Sequence, residues 1–323
     1  MLPLEAITDL EQRFSPQFLV ATRSVSRMIF SRQWFSLRLG AHRRRTRQRN
    51  VILQRTGIEV RTPTLADRRQ NHHDVIVDGK RLETLFFPAA ADAPVIVMLH
   101  EGLGSIAMWK DFPERVAEAT GCSVLVYSRY GHGKSQRLAE KRDFDFMHHE
   151  ATVVLPELLV QLGIQRPILL GHSDGGSIAL IYAGTWPEQV RGLILEAPHV
   201  FVEDFGLRST IAIRTLYGSS DLPQKLSRYH DHADEMFRGW NDIWLDPQFR
   251  GWNIEEYLGS ISCPTLVIQG EDDEYGTLAH VETIRRGVPN AQALVLPRCG
   301  HSPHRDQPEI TLDAISKFVA SLL

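Results

Sequence analysis

The chain is 323 residues long, with 43% apolar and 23% charged residues and a formal net charge of −3, an ordinary composition for a globular protein. No apolar run reaches the roughly 18 residues of a membrane-spanning helix. Cys122, Cys263 and Cys299 stand far apart with no C-x-x-C pair, which indicates no disulfide framework and leads us to expect a reducing, cytoplasmic compartment.

The small net charge conceals an uneven distribution. Residues 1–70 hold 14 Arg, no Lys and 5 acids, a net of +9, while the remainder holds 22 basic and 34 acidic residues, a net of −12. The densest basic run is HRRRTRQR, His42 to Arg49. Such a run can mark a nucleic-acid or membrane-surface patch. No aromatic-interleaved motif of a binding module accompanies it, so a solvated tail or an overlong translated start is expected, and no nucleic-acid partner. Glu5, Asp9 and Glu11 sit where organellar transit peptides avoid acids, and no secretory apolar region is evident. Residues 1–70 are therefore set apart as a basic, poorly ordered segment.

From residue 74 the pattern becomes regular. DVIVDGKRLETLFF predicts a hairpin turning at Asp78-Gly79. Short apolar runs follow at Val95–Leu99, Ser123–Tyr127, Pro167–Leu170, Gly192–Glu196, Thr265–Gln269 and Ala293–Pro297. Helical patterns separate or follow them near 107–119, 146–162, 174–185, 277–287 and 308–322. Buried strands alternating with helices predict an α/β fold, a mostly parallel doubly wound sheet covered on both faces. Ligands bind such sheets at the carboxyl ends of the strands. Residues 201–259 break the rhythm: no strand is evident and aromatics accumulate, including Phe205, Tyr217, Phe237, Trp240, Trp244 and Trp252. A plain loop of that length is uncommon, so a helical insertion is expected. Most of its aromatics should pack its own core and a minority should face a substrate pocket. The predicted core is then 71–200 with 260–323.

The residues after successive strands carry the chemistry. HEGLGS, His100 to Ser105, places glycines where a backbone N–H can approach a ligand. SRYGHGKS, Ser128 to Ser135, is read as structural, with Arg129 anchoring loops and His132 a loop histidine. GHSDGG, Gly171 to Gly176, is a G-x-S-x-G elbow that would present Ser173 on a sharp turn, flanked by Gly171 and Gly175 because bulkier groups would collide. The helix after it would aim its positive end at the site, with the Asp174 N–H as an oxyanion donor. GEDDEYG, Gly270 to Gly276, offers Asp273 at the end of a strand, and RCGHSPH, Arg298 to His304, offers His301, with His304 as a spare. The chain order Ser, Asp, His is that of the hydrolase motif using this elbow. Metal binding at HHD (His72 to Asp74) or HDH (His230 to His232) is rejected, because the spacing suits no single helix face and no closed ligand set follows.

With those motifs in place, residues from about 74 to the end resemble the α/β-hydrolase superfamily. GHSDGG is similar to its nucleophile elbow, LHEGLG to its H-G-x oxyanion loop, SRYGHGKS to its D-x-R-G-x-G-x-S turn, GEDD to its acid loop and CGHSPH to its G-H loop. The insertion matches the usual place of the helical cap. Glu101 replaces the usual Gly after His100, and Ser128 stands where many members carry Asp. The resemblance implies a serine hydrolase with Ser173 as nucleophile, His301 as base, Asp273 as its orienting acid, and the N–H groups of Gly102 and Asp174 as oxyanion donors. No cofactor or metal is implied. Ser at position 173 argues against the dehalogenase and epoxide-hydrolase branches. An ester or lactone with an apolar or aromatic acyl group, in a small-molecule substrate, is the first expectation. A carbon–carbon bond hydrolase of ring-cleavage products is the alternative, and a non-catalytic ligand-binding protein is a third reading. Arg238, His230 and His232 are candidates for holding a substrate carboxylate, although a structural role is favoured for them.

Overall fold

In a computed structural model, described here for residues 72–323, the chain forms one eight-stranded sheet. The basic segment lies outside the described residues. In chain order the elements are β1 (His72–Val77), β2 (Lys80–Phe87), β3 (Val95–Leu99), α1 (Phe112–Thr120), β4 (Ser123–Tyr127), α2 (Phe146–His149), α3 (Leu155–Gln161) and β5 (Ile168–His172). Then come α4 (Asp174–Thr185), β6 (Gly192–Glu196), α5 (Asp204–Ser219), α6 (Leu222–Leu226), α7 (Ala233–Trp244) and α8 (Glu255–Leu258). The chain closes with β7 (Thr265–Gly270), α9 (Ala279–Gly287), β8 (Ala291–Leu296), α10 (Pro303–Asp306) and α11 (Pro308–Ala320).

The strand order is β1-β2-β4-β3-β5-β6-β7-β8. The pairs β1–β2 and β2–β4 are antiparallel, and every pair from β4 to β8 is parallel. The hairpin turns where expected, with Asp78 at φ 50° and Gly79 at φ 73°, the left-handed pair that a two-residue hairpin loop needs.

Alternate residues of the apolar runs serve opposite faces, as the two-residue period of a strand requires. Val97, Leu99, Leu169 and Leu195 join one core cluster, together with Leu155, Leu158, Ile178 and Ile284 from α3, α4 and α9. Ile96, Met98, Leu170 and Ile194 join the other, together with Val116, Ile315 and Phe318 from α1 and α11. Each such buried side chain contributes roughly 1.5–3 kcal/mol relative to exposure, which fixes β3, β5 and β6 as the rigid centre. The edge strand β8 departs from the expected burial, since only Leu296 of its six residues is buried.

The helix expected over 146–162 is interrupted. Between α2 and α3 a π-helical turn spans Glu150–Val154, and it carries the buried Glu150, whose Oε1 accepts from the Tyr127 hydroxyl at 2.7 Å. Between β6 and β7 lie α5 to α8 with one isolated bridge, Phe201 to Asn253. Phe237, Phe249, Trp252 and Tyr257 of this insertion are buried, and the Tyr217 and Phe237 rings stack at 3.7 Å.

Candidate active site

Ser173 joins β5 to α4 with φ 54° and ψ −117°, a conformation that a non-glycine residue holds only when its surroundings enforce it. Ser173 N donates to Glu196 O at 2.9 Å, and Ser177 N closes the first turn onto Ser173 O at 3.0 Å. The flanking glycines are needed for the reason expected. A Cβ on Gly171 would strike the Gly175 carbonyl, and one on Gly175 would strike the carbonyl of Leu99. The elbow is therefore wedged between β3 and its own helix.

Asp273 and His301 meet after β7 and β8. His301 Nδ1 lies 2.8 Å from Asp273 Oδ1 and 2.9 Å from Oδ2. With its Nδ1 proton directed at the carboxylate, the ring leaves Nε2 as its acceptor. Asp273 is itself fixed by Tyr275 N at 2.8 Å, Gly276 N at 3.2 Å and Gln269 Nε2 at 2.6 Å. Burial pulls the His301 pKa down, but the charge and hydrogen bond of Asp273 outweigh it and hold the ring above its ordinary value. Burial likewise acts to raise Asp273, and His301 with the Tyr275 amide holds it below the usual carboxylate range instead. Such a pair can accept a proton at Nε2 and stabilise the resulting charge.

The loop after β3 is held by one carbonyl. Glu101 O accepts from His100 Nδ1 at 2.7 Å, Arg129 Nη2 at 2.8 Å and Gly104 N at 3.0 Å. All peptides here are trans, so a carbonyl turned inward onto three donors directs the N–H of the following Gly102 the opposite way. His132, buried rather than a plain loop histidine, places Nε2 3.1 Å from Gly102 O. Arg129 thus anchors the loop as expected. Asp174, beginning α4, keeps its carboxyl buried; desolvation raises its pKa against the opposing pull of Arg129 and Arg142.

These groups share one cavity of about 350 Å³, lined by Gly102, Ser173, Asp174 and His301 together with Glu101, His199 and Tyr275. The insertion supplies Leu207, Thr210, Ile213, Leu226, Tyr229, Trp240 and Trp244 to its wall. The structure thereby brings together all five residues singled out from the sequence: Ser173, Asp273, His301, Gly102 and Asp174. Asp273 sits behind His301, 5% exposed.

The other candidates lie elsewhere. His230 accepts from Gly133 N at 2.9 Å through Nδ1 and bonds Leu103 O at 3.0 Å through Nε2, a structural brace. Arg238 pairs with Asp234 at 2.8 Å, and His232 lies 3.8 Å from Glu235, both in exposed positions. The position Ser128, where the resemblance leads one to expect Asp, is served by a carboxylate from another strand. Ser128 Oγ donates to Glu83 Oε2 at 3.0 Å, and the same oxygen takes Lys134 N at 3.0 Å. His304 is turned away from Asp273 and onto Glu196, 2.7 Å from Nδ1 to Oε2. Among the described residues no group of three or more His, Cys, Asp or Glu is placed to hold a metal ion. Nor is any of their helices long and apolar enough to cross a membrane.

Three residues of the site escaped the sequence reading. Gln269, the next-to-last residue of β7, and Glu196, the last of β6, are polar residues in apolar strands and were both visible as anomalies. His172, inside β5, donates from Nε2 to His301 O at 2.7 Å, and nothing in its neighbours announced that.

A family model described as "Alpha/beta hydrolase family" matches residues 96–314. The chain belongs to the alpha/beta hydrolase family. The hydrolases it resembles cleave several kinds of bond. A 2-hydroxy-6-oxononadienedioate/2-hydroxy-6-oxononatrienedioate hydrolase of Comamonas testosteroni is 25% identical over 239 residues, 66% of this chain and 82% of that protein. An sn-1-specific diacylglycerol lipase of Mus musculus is 25% identical over 71% of this chain and 82% of its own length. A proline iminopeptidase of Thermoplasma volcanium is 26% identical over 56% and 74%. Among solved structures, an esterase from a Rhodococcus species superposes with a TM-score of 0.63 at 20% identity, covering 79% of this hydrolase and 100% of that chain, which speaks to the fold alone.

Proposed function

We propose that this alpha/beta hydrolase cleaves a carboxylic ester or lactone of a small acyl substrate through an acyl-enzyme. Ser173 attacks the acyl carbon, His301 takes the Ser173 proton and returns it to the leaving oxygen, and Asp273 holds the imidazole in the required tautomer. The N–H groups of Gly102 and Asp174 stabilise the oxyanion, and water activated by His301 releases the acyl group. The segment 201–259 acts as the helical cap that closes the cavity. The observation that carries this reading is the His301–Asp273 pair, at 2.8 and 2.9 Å, opening onto the cavity that Ser173 lines. A fluorophosphonate should label Ser173 stoichiometrically, and Ser173→Ala should lose both labelling and turnover. Undiminished labelling of the variant would sink the assignment.

Carbon–carbon bond hydrolysis is the second reading, supported by the likeness to the Comamonas hydrolase and to a 2-hydroxy-6-oxo-6-phenylhexa-2,4-dienoate hydrolase of Burkholderia cepacia at 26% identity. Parallel assays on p-nitrophenyl esters and on a vinylogous diketone acid separate the two.

A further inference from the structure

The charged side chains that line the cavity divide by depth. Those that are buried or half-buried, Glu101, Asp174 and Glu203, are acidic, whereas Lys225 and Arg305 are exposed and basic. One exposed acid, Glu274, is engaged by His301 N at 3.2 Å. The basic side extends outward from Tyr229, a half-buried residue of the cavity wall. Lys110 Nζ donates to the Tyr229 hydroxyl at 3.1 Å, and Ser105 Oγ holds the Tyr229 carbonyl at 3.3 Å. Arg228 is the preceding residue and is exposed. The hydrogen bond from Lys110 holds the Tyr229 phenol below its ordinary pKa, with Arg228 and Arg305 adding to the effect.

Lys225 and Arg305 therefore line the cavity, and Lys110 and Arg228 stand beside Tyr229 of its wall, in a part of the chain whose net charge is −12. Lys225 is matched by Asp221 at 2.8 Å. Among the described residues Lys110, Arg228 and Arg305 make no ion pair with a carboxylate. Like charges crowded without counter-ions cost free energy, and an anion bound there would relieve that cost. The acids deeper in, Glu101 and Glu203, would repel the same anion from the interior.

We propose that this collar of Lys110, Lys225, Arg228 and Arg305 binds a phosphate-bearing leaving group that stays outside the cavity while the acyl group enters it. Several cations around one ring exceed the charge of a single carboxylate, and guanidinium groups match phosphate oxygens in pairs. The proposal rests on the Ser173 reading above. In the step it serves, the acyl carbon bonds to Ser173 Oγ, the bond to the leaving oxygen or sulfur breaks, and His301 passes the Ser173 proton to that atom. The phosphates take no part in the chemistry.

The test compares one acyl group on two thiols, the hexanoyl thioesters of coenzyme A and of the uncharged N-acetylcysteamine. The ratio of their kcat/KM values should be about tenfold or more in favour of coenzyme A at about 50 mM salt and should shrink several-fold by about 500 mM, where charges are screened within about 4 Å. The combined variant Lys110→Gln, Arg228→Gln, Arg305→Gln should bring the ratio close to that of the high-salt wild type. Adenosine 3′,5′-bisphosphate should compete with substrate more strongly than glutarate; the reverse order overturns the phosphate assignment. A ratio indifferent to salt and to the three substitutions overturns the collar. If Ser173 is labelled and the neutral thioester is cleaved, that failure belongs to the collar alone. If Ser173 is not labelled and neither thioester is cleaved, the Ser173 reading fails with it.

Discussion

The carboxylate of Glu196 and the ring of His304, 108 residues apart in sequence, meet at 2.7 Å with both side chains buried. The same Oε2 accepts His304 N at 3.2 Å, and the Glu196 carbonyl accepts Ser173 N at 2.9 Å. One residue thus ties the elbow to the loop that carries His301. Glu196→Ala leaves a buried ring without its acceptor and should cost about 1–3 kcal/mol in urea unfolding. Glu196→Gln keeps a carbonyl oxygen for the ring and should cost roughly half as much. An alanine variant as stable as the wild type would remove the tie from the account.

Asp273 governs the charge on His301. Under the proposed roles the base must be unprotonated, so the rate falls as pH drops through the His301 pKa. Because Asp273 holds that pKa above the ordinary value, the acid limb of the kcat/KM profile should lie above about 6.5. Asp273→Asn removes the carboxylate, so the limb should move down while kcat falls by about 10⁴-fold. A profile whose acid limb stays in place in the variant contradicts the assignment.

Burial keeps several histidines neutral. His100, His132 and His172 lie well below their ordinary pKa, His199 falls to about 3 and His230 to about 4, each chiefly through desolvation. The unfolded chain takes up protons near pH 6.5 that the folded chain refuses. The stability they contribute is therefore present above about pH 6.5 and declines as pH falls, by up to ~1.4 kcal/mol per histidine per pH unit. His301 acts in the opposite sense: its raised pKa contributes stability at low pH that is lost as pH rises through it. Denaturant midpoints should drop steeply between about pH 7.5 and pH 5.5; a flat dependence would show that the unfolded chain also shields these rings.

Much of the fold was legible because its strands are buried on both faces. Val95–Leu99, Ser123–Tyr127 and Gly192–Glu196 appear in the structure with the bounds read from their apolar runs. Ser173, Asp273 and His301 were legible as candidates because each follows its own strand, and the structure pairs His301 with Asp273 and sets it in the cavity that Ser173 lines. What remained hidden was pairing across distance. Glu83 supplies Ser128 with a carboxylate 45 residues away, and Glu196 reaches His304 across 108. A polar residue in an apolar run says that it needs a partner, but the partner is chosen by the sheet order, which brings β6 beside β5 and β7. The π-helical turn at Glu150–Val154 was hidden for a related reason, since its local sequence is that of an ordinary helix.

The indole of Trp240 rests so close to the backbone of Gly102 that a single methyl group there would collide with it. The residue after Glu101 is thus roofed by a side chain belonging to α7. A displacement of α7 would therefore carry this roof with it and change how far Gly102 is covered. If Gly102 serves as the proposed oxyanion donor, the ring that roofs it would also set how dry the surroundings of that contact are.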